Sequence, residues 1–172
     1  MLKFTIGLPR SGKSTFCKMW EKYEDEETKK GCKYDTYHYS FPHRVVIAGD
    51  DFRNALYGKE FSRKGEGMVF AAMDISARAL LFHGYDVIID ETATTEETIK
   101  RYLRIDINAI PVPINTPVEV CIERAISNNK LYLIPVINSM ADRCNKLILD
   151  LDWRMEQLRN EVKTRQSLDV IV

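Results

Sequence analysis

The sequence predicts an α/β fold in three layers, with a mostly parallel central sheet and a long C-terminal helix. Three observations predict it. Short runs such as Val45–Gly49 and Asp86–Asp90 are apolar almost throughout, as strands buried on both faces are. They alternate with segments of helical period, the pattern of parallel strands joined by helical crossovers. The first apolar run, Leu2–Gly7, ends in a glycine-rich loop that leads straight into a helix.

In chain order, residues 2–7 are the first strand, and a helix is expected from Lys13 to about Glu24. Residues 21–33 place Glu21, Glu24, Asp25, Glu26 and Glu27 ahead of Lys29, Lys30 and Lys33, the composition of a solvated helix end and loop. Tyr34, Tyr37 and Tyr39 follow, in either a peripheral strand or a binding loop. Residues 45–49 are the second strand and residues 51–57 a helix. Residues 66–83 are amphipathic and helical, and Gly84 ends them. Residues 86–90 are the third strand. A helix over 95–104 takes Thr94 or Thr95 as its cap, with Glu96 and Glu97 in the first turn, where carboxylates suit the helix dipole. Residues 106–114 are a fourth strand, to which Pro111 and Pro113 give an irregular or edge course. Thr116-Pro117 starts a helix reaching about Ser127.

Pro135 then starts a long helix to about Arg165. Its Ile137, Met140, Cys144, Leu147, Ile148, Leu151, Met155, Leu158 and Val162 recur at helical spacing and form one seam. The seam serves its own domain or, past Leu151, a second copy of the chain in a homo-oligomer. Residues 1–150 are read as one nucleotide-binding domain with a lid near 124–135, and 151–172 as a helical extension of the same unit.

A chain of 172 residues fits one domain and buries a full core without staples. Zero formal net charge argues against coating nucleic acid or anionic membrane through bulk electrostatics. Cys17, Cys32, Cys121 and Cys144 form no C-x-x-C pair, so they read as reduced thiols of a cytoplasmic protein. His38, His43 and His83 form no metal-like cluster. No apolar run reaches membrane-spanning length, and the first residues turn polar too soon for a signal peptide.

The segment Gly7-Leu8-Pro9-Arg10-Ser11-Gly12-Lys13-Ser14-Thr15 matches G-x-x-x-x-G-K-[ST] between a strand and a helix. Gly7 and Gly12 permit the tight backbone path. Backbone N–H groups of residues 9–14 bind phosphate oxygens at the helix N-terminus. Lys13 bridges the β- and γ-phosphates of ATP, and the Ser14 hydroxyl ligates Mg²⁺. Arg10 is an unusual occupant of such a loop, facing either an anionic group or solvent.

Asp50-Asp51-Phe52-Arg53 follows the second strand, at the crevice where α/β sheets bind ligands. Asp50 is placed to accept a proton from an attacking hydroxyl, and Arg53, one turn on, to pair with a substrate phosphate. Asp51 reads as a helix cap. Val87-Ile88-Ile89-Asp90-Glu91-Thr92 has the form of a Walker B strand, whose terminal acid serves Mg²⁺ or the nucleophile. Asp90 and Glu91 both qualify, and spacing does not choose between them. Lys59–Lys64 is a local basic patch around Phe61, either a guide for a nucleic-acid backbone or a solvated loop. Arg124, on the helix after Pro117, and Lys130, in the loop beyond, are candidates to stabilise charge on the transferring phosphoryl group from a mobile lid.

From Lys3 to about Lys146, outside the 20–44 segment, these residues in this order resemble the kinase domain of the bacteriophage polynucleotide 5′-hydroxyl kinase family, within the nucleotide-kinase-like P-loop group. The matching parts are the Gly7–Thr15 loop, Asp50–Arg53, Lys64-Gly65-Glu66-Gly67, Val87–Thr92, Glu123-Arg124 and Ile134-Pro135-Val136. The resemblance implies a P-loop NTPase sheet of nucleotide-kinase type and transfer of the ATP γ-phosphoryl to a 5′-OH end. It implies Asp50 as general base, Arg53 on the acceptor's 3′-phosphate, Glu91 and Thr92 near the acceptor, and Arg124 as a lid arginine on ATP. For a phage-encoded chain it implies the host cytoplasm. The family's second lid arginine is replaced here by Asn128, and Glu91 stands where the family has Asp. The alternatives are a P-loop kinase of a small-molecule or modified-nucleoside acceptor, and a nucleotide-binding ATPase without transfer.

Overall fold

The computed structural model describes residues 1–22, 43–58 and 62–169. Four strands, β1 (Leu2–Ile6), β2 (Arg44–Ala48), β3 (Asp86–Asp90) and β4 (Ile110–Pro113), form one sheet in the order β2-β3-β1-β4, every pair parallel. The two central strands are the most deeply buried. Val87, Ile88 and Ile89 of β3 are fully buried, as are Leu2, Phe4 and Ile6 of β1. β4 is an edge strand, which accommodates Pro111 and Pro113 where a central strand would lose ladder hydrogen bonds. The regular part of β4 is shorter than the 106–114 read from sequence.

The helices are α1 (Lys13–Lys22), α2 (Gly49–Tyr57), α3 (Glu66–Phe82), α4 (Glu96–Ile105), α5 (Val118–Ser127), α6 (Ile134–Leu149) and α7 (Leu151–Asp169). The connection β1→β2 runs to one side of β1 and β3→β4 to the other, so right-handed crossovers put α1 and α4 on opposite faces. Side chains of consecutive β1 residues report the two faces. Lys3 Nζ lies over the Trp20 ring of α1 at 5.7 Å, and Phe4 packs on Tyr102 of α4 with centroids 4.9 Å apart.

The C-terminal helix is two helices, not one. The break falls at Asp150, with φ −110° and ψ 25°, beside a Leu149 that is 83% exposed. No Pro or Gly marks it; the two halves have different neighbours, and packing sets the turn. α6 lies on α5 through Ile137 and Cys144, whereas α7 crosses to α4. There the Leu151, Met155, Leu158 and Val162 seam is buried within the same chain. Arg159 seals it by donating to the carbonyls of Ile107 and Ala109, and Glu161 pairs with Lys100 at 2.7 Å. The seam that offered a second copy of the chain a docking stripe is spent on α4.

The other helices fall close to expectation. Thr95 caps α4, accepting from the Thr98 N–H at 3.3 Å. α2 starts at Gly49 with no side-chain cap, so Asp51 is a first-turn residue rather than the cap. The Tyr34, Tyr37 and Tyr39 stretch, most of the charge run, and the Lys59–Phe61 half of the basic patch lie outside the described residues. Among the described residues no helix is long and apolar enough to cross a membrane, and Cys17, Cys121 and Cys144 are buried free thiols.

Candidate functional site

The loop from Gly7 to Gly12 leaves β1 between its neighbours β3 and β4 and feeds the N-terminus of α1. Strand ends of this kind, where the crossovers diverge, are where α/β sheets hold ligands. Gly7 is required by contact: a Cβ there would lie 2.8 Å from the Ile114 carbonyl oxygen and 2.9 Å from Ser11 Oγ. Gly12 is required by conformation, with φ +106°. Arg10 also sits at positive φ, 67°, which costs a non-glycine residue about 1 kcal/mol.

Lys13 is 8% exposed, and its Nζ donates to the Leu8 carbonyl at 2.7 Å, folding the ammonium back over its own loop. Burial pulls its pKa below the ordinary lysine value, and the Asp90 carboxylate acts against that. Ser14 and Thr15 stand exposed in the first turn of α1. The Ser11 hydroxyl is buried and has no partner among the described residues. The back of the loop is clamped. Arg124 Nη1 donates to the carbonyls of Arg10 and Ser11, each at 3.1 Å, and Thr116 Oγ1 donates to Ser11 at 2.7 Å. Arg124 therefore meets the loop through its backbone.

At the end of β3 the two acids separate. Asp90 is the charge felt by Lys13 and by Cys17 of α1. Glu91 turns the other way. Its carboxylate accepts from the Tyr102 hydroxyl and from Arg101 Nη2, the latter at 3.0 Å. Arg101 also lies 3.2 Å from Asp74 and stacks over Phe70 at 4.2 Å. Thr5 Oγ1 ties the strand end to β1 by donating to the Glu91 carbonyl at 2.8 Å, and the Gly7 N–H donates to the Thr92 carbonyl at 3.2 Å. Thr92 thus abuts the cradle through its backbone, while the Glu91 side chain is occupied by α4.

Across the crevice, Asp50 lies in the first turn of α2 with its side chain 94% exposed. Arg53 Nη1 donates to Asp50 Oδ1. The rest of the Arg53 fork is held by Glu66, the first residue of α3: Nε to Oε1 at 2.7 Å and Nη2 to Oε2 at 2.8 Å, with Tyr57 adding its hydroxyl to Oε1 at 3.0 Å. Hydrogen bonds from Arg53 are the main force holding the Glu66 carboxyl below its ordinary range; burial opposes them, and Tyr57 assists. The Glu66 and Arg53 side chains are 12% and 18% exposed. The sequence singled out Asp50 and Arg53 but gave no site role to Glu66, Tyr57, Arg101 or Thr116, because nothing in their spacing reports a partner on another element. Asn128 folds back on α5, its Nδ2 donating to the Arg124 carbonyl at 2.7 Å, and Lys130 Nζ lies 5.8 Å from the centre of the Tyr132 ring.

Solved structures share this architecture. One is a chain of the Pnkp1/Rnl/Hen1 complex, matched at 25% identity and a TM-score of 0.56 over 72% of this chain and 38% of that one. Another is the Mycobacterium tuberculosis APS kinase CysC in complex with AMPPNP and APS, at 20% identity and a TM-score of 0.54, over 72% and 67%.

The chain has a P-loop kinase fold.

A third match, APE1195, extends the likeness over 95% of both chains at 18% identity and a TM-score of 0.55. The chain spans well under half the length of the Pnkp1/Rnl/Hen1 chain it matches. No family model and no curated protein matches the sequence.

Proposed function

We propose that the chain is an ATP- and Mg²⁺-dependent phosphotransferase whose favoured acceptor is the 5′-OH of a polynucleotide or nucleotide. The observation that carries this reading is the Asp50–Arg53–Glu66 constellation across the crevice from the cradle. A nucleotide switch has no use for an exposed carboxylate beside a preset guanidinium, whereas a second substrate does.

In this reading the cradle N–H groups and Lys13 hold the β- and γ-phosphates, and phosphate oxygens take over the Lys13 contact now made to Leu8. The orphaned Ser11 hydroxyl is a further donor for the ligand. Arg53 orients an anionic group of the acceptor. Asp50 takes the proton of the acceptor hydroxyl as its oxygen bonds to the γ-phosphorus. The bond from that phosphorus to the bridging oxygen breaks, and ADP leaves with the electron pair.

The donor set fits Mg²⁺. Ser14 hydroxyl and Asp90 carboxylate are hard oxygen ligands, and this ion ordinarily keeps waters and substrate phosphates for its remaining positions. Among the described residues no group of three or more acids, histidines or cysteines could form a protein-only cage. When bound, Mg²⁺ neutralises charge on the β- and γ-oxygens.

A second reading, a small hydroxylated acceptor such as a modified nucleoside, is favoured by Asn128, whose amide brings no positive charge to the lid. A panel with γ-labelled ATP separates the two, comparing 5′-OH oligonucleotides, 3′-mononucleotides, free nucleosides and no acceptor. Label on oligonucleotides supports the first reading, and label on nucleosides alone supports the second. Label only in free phosphate overturns transfer altogether. The Lys13→Ala variant should lose transfer to every acceptor.

A further inference from the structure

We propose that Arg10 supplies, from inside the phosphate cradle, the second guanidinium on the transferring phosphoryl group that the lid does not carry; this rests on the ATP-dependent transfer reading above.

The first observation is conformational. Among the described residues only Arg10, Ala93 and Asn129 hold positive φ without being glycine. At φ 67° glycine would fit without penalty, yet the loop carries a long cationic side chain there. Its placement is not loose. The Arg10 carbonyl is pinned by Arg124, and the next carbonyl, that of Ser11, by Arg124 and Thr116 together. The side chain therefore departs from a fixed point on the cradle wall.

The second observation concerns what the neighbouring cations are doing. Lys13 is buried on the Leu8 carbonyl, Arg124 spends Nη1 on two loop carbonyls, and Arg53 is gripped by Glu66 and Asp50. Arg10 is partly buried, and its side chain makes no hydrogen bond or ion pair with any described residue. Asn128, at the lid position one turn after Arg124, is neutral and folded back onto its own helix. The cradle thus holds one uncommitted planar fork, and the lid lacks one.

The chemistry matches. Charge on a transferring phosphoryl group spreads over three equatorial oxygens, which a guanidinium meets bidentately and an ammonium does not. A cation already fixed in the loop acts without waiting for a lid to close.

The test uses the full chain, wild type beside Arg10→Gly, Arg10→Lys and the double variant Arg10→Gly/Asn128→Arg. Calorimetry gives the affinities for ADP and AMPPNP in the presence of Mg²⁺. γ-Label transfer to the best acceptor gives turnover, and thermal melts report folding. For Arg10→Gly, ADP affinity should stay within about twofold and the preference for AMPPNP over ADP should fall about tenfold. Turnover should fall roughly 10²-fold or more, in the range of lost transition-state donors. The melting temperature should stay within about 3 °C, because relief of positive φ offsets the entropy of the more flexible unfolded chain. Arg10→Lys should recover only part of the turnover, and the Asn128→Arg addition at least tenfold.

Turnover of Arg10→Gly within threefold of wild type, with the AMPPNP preference intact, overturns the proposal. So does a parallel loss of ADP binding, melting temperature and turnover, which would make Arg10 a structural residue. If wild type transfers to no acceptor, the transfer reading fails, and the AMPPNP preference alone decides whether Arg10 meets the γ-phosphate.

Discussion

Removing Glu66 tests the acceptor side of the site most directly, because its consequence can be worked from the geometry. In Glu66→Ala the Arg53 fork loses two charge-assisted bonds, of 2.7 and 2.8 Å, and keeps the one to Asp50. Bonds to charged groups contribute roughly 1.5–3 kcal/mol each, and breaking a fully buried pair costs about 3–5 kcal/mol. With side chains 12% and 18% exposed, water reaches part of the gap, so a net loss of about 2–3 kcal/mol is expected. For a domain of this size that lowers the melting temperature by roughly 4–12 °C. Glu66→Gln keeps one acceptor and the packing against Tyr57, and should lose about half as much. Calorimetric melts and urea titrations measure both variants. In transfer assays, KM for the acceptor should rise several-fold while ADP affinity holds, since Arg53 loses its orientation but the cradle is untouched. A Glu66→Ala melt within 1 °C of wild type, or an unchanged acceptor KM, would refute the idea that Glu66 positions Arg53.

Two further outcomes follow from the same cluster. Asp50→Asn should cut transfer by roughly 10²-fold with nucleotide affinity unchanged, and turnover within threefold of wild type would remove Asp50 as the base. Acid should weaken the Arg53–Glu66 clamp. The Glu66 pKa is lower folded than unfolded, so its stabilisation is complete above the unfolded value of about 4.3 and fades as pH falls through the folded value. Wild type and Glu66→Gln should therefore converge in stability only as pH falls below the ordinary glutamate range, and parallel pH curves would count against the clamp.

Most of the architecture was legible because it rests on local patterns. Apolar runs marked β2 and β3, the short segment ending in Gly7 marked β1, and the prolines gave β4 an irregular or edge course, which proved to be an edge. The strand–loop–helix context gave the cradle, since its chemistry is a property of consecutive residues. What the sequence withheld depends on which element packs on which. The break at Asp150 has no Pro or Gly to announce it, and the destination of the Leu151–Val162 seam depended on whether α4 offered a groove. Glu66 could not be assigned to Arg53, because only the docking of α2 on α3 brings them together.

The separation of Asp90 from Glu91 lies between these cases. Alternate residues of a strand point to opposite faces, so parity alone says that one acid faces α1 and the other α4. The absolute phase is what spacing lacks, and two side chains of β1 supply it. Phe4 packs on Tyr102 of α4 and is in register with Ile89; Lys3, over Trp20 of α1, is in register with Ile88. Asp90, two residues after Ile88, shares the α1 face with Lys13, the cradle lysine. Glu91, two after Ile89, shares the α4 face with Tyr102, the residue whose hydroxyl it accepts. The same parity that left two candidates open assigns them once a single pair of faces is known. It sets Asp90 beside the cradle lysine, where the proposed reading needs its acid for Mg²⁺, and leaves Glu91 anchoring α4 to the sheet.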